Sequence, residues 1–280
     1  MIYTRIRGGL GNQLFQYCVA RTLADQLDVD LGLDIREYNS KSTFKMGLYS
    51  FDIRCDLNPN GLIKHKNNGK VLFALEKLLG KQKHVYYEPF LSFDKTVLKK
   101  LDGTYLKGYW QSEKYFKNKK NILNDLQIII PPSKKNLLTK DKIQNCNSIS
   151  LHIRRGDYVS NVAHGTCDLS YYKKAVQHFI NLYGKNIVVF AFSDDPNWVL
   201  ENLKLPVSVQ FVNHNSSEYN YEDMRLMSIC NHNIIANSSF SWWGAWLNKN
   251  PEKTIIAPKR WFANKKIENK DIIPKGWIRI

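Results

Sequence analysis

The alternation of strand and helix between residues 148 and 257 constrains the fold of this chain more than any other feature. Ser148–Arg154 (SISLHIR) reads as a strand, and Ser170 stands where it can cap a helix, YYKKAVQHFINLY, that Gly184 ends. A strand at Asn186–Ser193, a short helix over Pro196–Leu203 opened by its proline, and a strand at Val207–His214 follow. A helix at Tyr219–Cys230, a strand at Asn233–Asn237, a helix from Ser239 to Lys249 and a strand at Thr254–Ala257 complete the run. Short apolar strands separated by helices of about ten residues predict βαβ units and a parallel sheet. Right-handed crossovers put every strand-to-helix loop on one edge of such a sheet, the edge where α/β folds bind ligands.

The first half opens the same way. A strand at Ile2–Arg7 runs into the loop Gly8-Gly9-Leu10-Gly11-Asn12-Gln13, then a long helix through Leu27 and a strand near Val29–Ile35. Residues 36–104 carry no clear pattern except Val71–Leu79, an apolar stretch among Lys64, Lys66, Lys70, Lys77, Lys81 and Lys83. Tyr105–Trp110 reads as another strand. Pro131-Pro132 and the polar run Ser133–Asn147 read as a connector. The expected division is an N-terminal domain over 1–132, a linker over 133–147 and a C-terminal domain of βαβ units over 148–280.

With 280 residues and 43% hydrophobic composition, the chain can build two cores and is not disordered or collagen-like. No apolar run approaches the roughly 18 residues of a membrane span, and the first residues lack a signal peptide's apolar block. Five scattered cysteines without a CxxC suit free thiols in a reducing cytoplasm. The net charge of +16 is concentrated in residues 1–140, which carry +11 against +5 for the rest. Such a field attracts nucleic acid, anionic lipid or a phosphorylated small molecule. No zinc finger, helix-turn-helix or aromatic RNA-reading strand is visible, so no nucleic-acid partner is expected. Lysines on solvated faces are the plainer reading.

Four motifs carry chemistry. GGLGNQLF, between a strand and a helix, half-matches the dinucleotide fingerprint with Gly9 and Gly11, and Asp34 lies near the distance for a ribose-binding acid. Leu14, however, stands where a third small residue is required, which weakens an NAD-dependent oxidoreductase reading. His152-Ile153-Arg154-Arg155-Gly156-Asp157-Tyr158 leaves a buried strand. Alternation sends Arg154 and Arg155 to opposite faces unless the ladder ends there, and guanidinium forks suit phosphate oxygens. An ion pair of either arginine with Asp157 is the structural alternative. Asn237-Ser238-Ser239-Phe240 opens a helix whose N-terminus favours an anion, while Trp242, Trp243 and Trp246 read as core. Ser193-Asp194-Asp195-Pro196 reads as a helix cap through Asp194 or Asp195 rather than a metal site.

Taken together and in this order, GGLGNQLFQY, HIRRGDY, FSDDP and ANSSFSWWGAWL resemble the α-1,2-fucosyltransferase family of inverting glycosyltransferases. The resemblance implies an α/β GT-B fold of two Rossmann-type domains with parallel sheets facing a cleft. The N-terminal domain lies on the acceptor side, and the C-terminal one holds GDP-fucose. Arg155 then matches the arginine on the β-phosphate, His152 the residue near the nucleoside, and Asp157 the acid that orders the motif. Ser238 and Ser239 match the serine pair facing the pyrophosphate, Asp223 a guanine-reading carboxylate, and Asn12 an asparagine near the reaction centre. Arg154, Gly9, Gly11, Ser193, Asp194 and Phe240 complete the implied nucleotide contacts, with Arg155, Asn12 and Asp157 as the catalytic group.

The implied reaction moves L-fucose from GDP-β-L-fucose to the 2-hydroxyl of a terminal β-galactoside on an oligosaccharide or lipid-linked glycan. No cofactor and no metal are expected, since Arg155 and a helix N-terminus can stabilise the departing diphosphate. The enzyme is expected in the cytoplasm, with peripheral contact to an anionic inner-membrane face through the lysine-flanked segment if that segment is not a core helix. A non-catalytic nucleic-acid- or glycan-binding protein is the remaining alternative.

Overall fold

A computed structural model of the chain describes residues 1–38, 44–57, 85–267 and 270–280. They form two compact units, Met1–Ile129 and Ile130–Ile280. The lysine-flanked stretch Val71–Leu79 lies outside the described residues.

The first unit contains β1 (Ile2–Arg5), α1 (Leu10–Leu27), β2 (Leu31–Asp34), β3 (Val85–Tyr87), β4 (Tyr105–Lys107) and α2 (Lys119–Asp125). Its strands run parallel in the order β2-β1-β4-β3. β1 and β4 are adjacent and parallel, so the segments leaving those two strands share an edge of the sheet. Both strands are shorter than their apolar patterns predict, because the chain turns away at Ile6–Gly9 and at Gly108–Trp110. Leu10, Leu14, Phe15, Tyr17, Cys18 and Val19 of α1 are buried. Asp125 at the end of α2, 2% exposed, accepts from Tyr17 Oη at 2.7 Å and Arg21 Nε at 2.8 Å, which ties α2 to α1.

The second unit runs α3 (Lys134–Gln144), β5 (Asn147–Ile153), α4 (Leu169–Tyr183), β6 (Ile187–Ser193), α5 (Pro196–Asn202), β7 (Ser208–Val212) and α6 (Asn220–Ser228). It continues with β8 (His232–Ile234), α7 (Ser239–Trp246), β9 (Ile255–Ala257) and β10 (Ile278–Arg279). All six strands are parallel, in the order β10-β9-β8-β5-β6-β7. Counted within the unit, this is the doubly wound nucleotide-binding order 3-2-1-4-5-6 read from the β7 side. Its switch point lies between β5 and β8. β5 is buried along nearly its whole length, as a central parallel strand must be. Tyr172, Ala175, Val176 and Phe179 pack one face of α4 onto the sheet core.

Two local expectations are corrected. The stretch 133–147 is not a connector: Ser133 caps α3 through its hydroxyl on the Asn136 N–H, and α3 belongs to the second compact unit. Asp168, not Ser170, occupies the N-cap of α4, and Ser170 falls in the helix's first turn; Gly184 ends that helix at φ 70° as expected.

Candidate functional site

The β5–β6 ladder ends at Ile153 paired with Ser193, so strand alternation no longer governs the residues that follow. Arg154 and Arg155 both turn to the exit of β6 instead of splitting between two faces. Arg154 places Nη1 3.0 Å from Asp194 Oδ2 and donates from Nη2 to Asp157 Oδ1. The ion pair weighed as a structural alternative therefore exists, between Arg154 and Asp157. Arg155 donates its backbone N–H to Asp194 Oδ1 at 2.8 Å and its Nε to Asp195 Oδ2 at 3.0 Å. Its guanidinium lies 3.6 Å over the Trp198 ring. Among the described residues, the two Nη atoms of Arg155 carry no hydrogen bond, whereas both Nη atoms of Arg154 are engaged. Asp195 also caps α5 through the Trp198 N–H, and Ser193 Oγ accepts the Asp195 N–H at 3.0 Å.

Next to β5, the exit of β8 leads into α7. The Ser238 hydroxyl caps the helix by accepting the Phe240 N–H. The opening N–H groups of a helix have no intrahelical acceptor and sit at its positive end, and here Ser239 and Phe240 are partly exposed. The Phe240 ring centroid is 5.5 Å from that of His152, so the ends of β5 and α7 meet. His152 is 4% exposed, and its Nδ1 has no hydrogen-bond partner. Burial holds its pKa down at about 3, which keeps the imidazole neutral. Asn237 pins the two exits together: its Nδ2 donates to the carbonyls of His164, Gly165 and Trp261, and its Oδ1 accepts from Cys167 Sγ. Trp242 and Trp243 are fully buried, as the core reading of that helix requires.

Asp223 lies in the first turn of α6, on the same edge of the sheet. Its Oδ1 accepts from Asn215 Nδ2 at 2.7 Å. Asn136 of α3 bonds Asn215 in both directions and meets His214 Nε2 at 2.7 Å. Burial raises the Asp223 carboxyl to about 7, opposed by the Asn215 bond and helped by the charge of Glu222.

In the first unit, Gly9 opens α1 without a side-chain cap, and Gly11 is buried in its first turn. The Gly8 carbonyl accepts from Gln13 Nε2 at 2.9 Å and Tyr38 Oη at 2.6 Å. Gln13 also bonds the Lys45 carbonyl and the Gly47 N–H, so within GGLGNQ it is a structural cross-link. Asn12 is partly exposed and accepts at Oδ1 from Gln111 Nε2 at 2.8 Å. Sequence reasoning gave no role to Trp198, Asn237 or Gln111. Asn237 lay within a quoted motif; Trp198 and Gln111 gave no signal. Among the described residues, no three His, Cys, Asp or Glu side chains gather as a metal-binding set, and no helix is long and apolar enough to cross a membrane.

A doubly wound parallel sheet with arginines and a helix N-terminus on its two switch strands defines a nucleotide-binding α/β protein. Residues 64–280 match glycosyl transferase family 11, and the chain belongs to that family. It is 33% identical to the α-1,2-colitosyltransferase of Escherichia coli, across the whole of this chain and 99% of that protein. It is 30% identical to the O-antigen biosynthesis glycosyltransferase WbnK of Escherichia coli, with both chains covered fully. The crystal structure of NodZ α-1,6-fucosyltransferase soaked with GDP-fucose shares the fold, with a TM-score of 0.52 at 18% identity. The match covers 87% of this chain and 90% of that one. The fold is thus of the GT-B kind, built from two parallel-sheet α/β units.

Proposed function

We propose that this glycosyltransferase moves L-fucose from GDP-β-L-fucose to the 2-hydroxyl of a terminal β-galactoside, inverting the anomeric centre to give an α-1,2 linkage. One observation carries the reading. At the switch point of the second unit, Arg155 is oriented by Asp195 and Trp198 with both Nη atoms left over. Breaking the fucose C1–O bond leaves an oxocarbenium-like sugar and places negative charge on the diphosphate. A pre-oriented guanidinium fork acts where that charge develops, and the N-terminus of α7 at Ser238–Ser239 adds its dipole. His152, neutral and buried beneath Phe240, packs the nucleoside side without adding charge. Asp157 and Asp194 hold the Arg154 segment in place. The carboxylates of this corner are engaged by arginines and a helix cap, so we assign leaving-group stabilisation to Arg155 and the helix and propose that no metal is required.

A second donor is favoured by the full-length similarity to a colitosyltransferase: GDP-colitose, whose sugar is fucose without its 3-hydroxyl. The acceptor in either case is a galactose-terminated oligosaccharide or lipid-linked glycan. All five cysteines are free thiols, which supports a place in the reducing cytoplasm.

The test is incubation with each GDP-sugar and a panel of β-galactosides, followed by mass spectrometry and linkage analysis. An α-1,2-fucosylated product is expected. Arg155→Ala should lower transfer about 100-fold or more while the protein stays folded. No transfer from either donor, or near-normal turnover by Arg155→Ala, removes the reading.

A further inference from the structure

The loop leaving β4 holds a backbone conformation that its own sequence disfavours. Trp110 has φ 58°, a left-handed value that a bulky residue keeps only when its surroundings dictate it. The Glu88 carboxylate, just past β3, supplies the constraint: Oε2 accepts the Tyr109 N–H at 2.7 Å and Oε1 the Trp110 N–H at 2.9 Å. Gly108 permits this approach, since a Cβ there would stand 2.4 Å from Glu88 Cβ. Burial raises the Glu88 carboxyl, and the two N–H bonds oppose the rise. From the other side, the Trp110 ring is fully buried, stacked at 6.2 Å on Tyr86 and edge-on at 5.7 Å to Tyr115. The turn is held by a clamp on its backbone and a socket around its side chain.

The residue this turn delivers is Gln111, which is partly exposed and donates from Nε2 to Asn12 Oδ1. Asn12 stands in the first turn of α1, just past β1, and Gln111 in the loop leaving β4, and β1 and β4 are adjacent parallel strands of the first unit. The bond between them uses one oxygen and one N–H. It leaves the Asn12 amide nitrogen and the Gln111 Oε1 with no hydrogen-bond partner among the described residues. Gly8 keeps the first of these open, since a Cβ there would crowd Asn12 Nδ2 at 3.0 Å. A free amide donor and a free amide acceptor on two linked side chains match a pair of sugar hydroxyls, one accepting from Nδ2 and one donating to Oε1.

We propose that Gln111 fixes the Asn12 amide and joins it in holding two hydroxyls of the acceptor sugar, and that the Glu88–Trp110 turn serves to place it. This rests on the reading of the first unit as the acceptor side of a sugar transferase.

Wild type, Asn12→Ala, Gln111→Ala, Gln111→Glu and the double alanine variant are compared at saturating GDP-fucose. Acceptor kcat and KM are measured with a β-galactoside, and GDP affinity by calorimetry. In Gln111→Ala, acceptor kcat/KM should fall about tenfold or more with GDP affinity within about twofold, because only the acceptor contact is lost. The double variant should be no worse than Asn12→Ala by more than about threefold, as expected of groups that act as one unit. Gln111→Glu keeps the shape but cannot donate to Asn12 Oδ1, and should fall as far as the alanine variant. Binding of methyl β-galactoside in the presence of GDP, followed by ligand-observed NMR, should be lost in Gln111→Ala. Wild-type acceptor kcat/KM or galactoside binding in Gln111→Ala, a full multiplicative loss in the double variant, or an active Gln111→Glu would overturn the assignment. Absence of transfer in wild type with galactoside binding intact refutes the fucosyl reading alone.

Discussion

If Asp223 reads guanine, GDP affinity should depend on pH through that carboxyl. Guanine presents N1–H and an exocyclic amine, and only an ionised carboxylate accepts from both. With the carboxyl raised to about 7 by burial, roughly one tenth is ionised at pH 6 and roughly nine tenths at pH 8. Affinity should therefore rise about tenfold across that interval, or about 1.4 kcal/mol, and level off above it. GDP's own phosphate titrates in the same range, so the measurement is the difference between wild type and Asp223→Asn, by calorimetry at pH 6, 7 and 8. Glu222, whose carboxyl is also raised by burial and which pairs with Arg225, is common to both proteins. So is His214, lowered by burial and by Lys135 and joined to the network through Asn136. Both cancel. Stability carries an independent sign. The folded carboxyl sits above its unfolded value, so the folded state binds the proton more tightly, and stability falls as pH rises from about 4 to about 7 and is flat above. Asp223→Asn lacks that slope and should gain on wild type between pH 5 and 7 by about 2 kcal/mol at most, less for solvent screening of a partly exposed group. Identical pH slopes of GDP affinity in the two proteins would refute the guanine role, and identical stability slopes would refute the raised carboxyl.

Transfer should survive EDTA, and full loss of activity that Mg²⁺ or Mn²⁺ restores would overturn the assignment of leaving-group stabilisation to Arg155 and α7. Asn237→Ala removes a 3%-exposed amide that satisfies three carbonyls. Urea unfolding should show a loss of about 2–3 kcal/mol, the cost of stranding buried polar groups, and an unchanged midpoint would contradict the pinning role.

The βα alternation of the second half was legible because apolar runs and turn residues alternate there with little interruption. What failed, failed for identifiable reasons. Helix α3 buries only Asn136 and Ile143 and leaves Leu137 and Leu138 on the surface, so it shows no apolar stripe; a Ser133 cap and the Asn136–Asn215 bonds hold it instead. Strand ends were overrun because the apolar pattern persists past the last paired residue, through Ile6 in one case and to Trp110 in another. Arg155 and Ser238 could be singled out as candidates from the chain alone, but their settings could not. Asp195 and Trp198 lie some forty residues from Arg155, and Gln111 about a hundred from Asn12. No local pattern encodes such pairs.

The charges of the arginine corner explain why its two adjacent guanidiniums are not equivalent. Two arginines face three carboxylates there, Asp157, Asp194 and Asp195, so the corner is formally negative by one and does not by itself attract a diphosphate. Long-range attraction must come from the remainder of a chain carrying +16. What the carboxylates supply is orientation. Asp195 takes the Nε edge of Arg155 and Trp198 takes its face, so the fork loses little rotamer freedom when an anion arrives at the remaining edge. Arg154 would have to turn away from Asp194 or from the more exposed Asp157 to do the same. In the proposed reading a phosphate therefore meets Arg155, whose Nη edge is already clear, and Arg154 is the tether of the turn beside it. Exchanging the two roles would require exchanging their carboxylates, which are fixed by the β6 exit and the α5 cap.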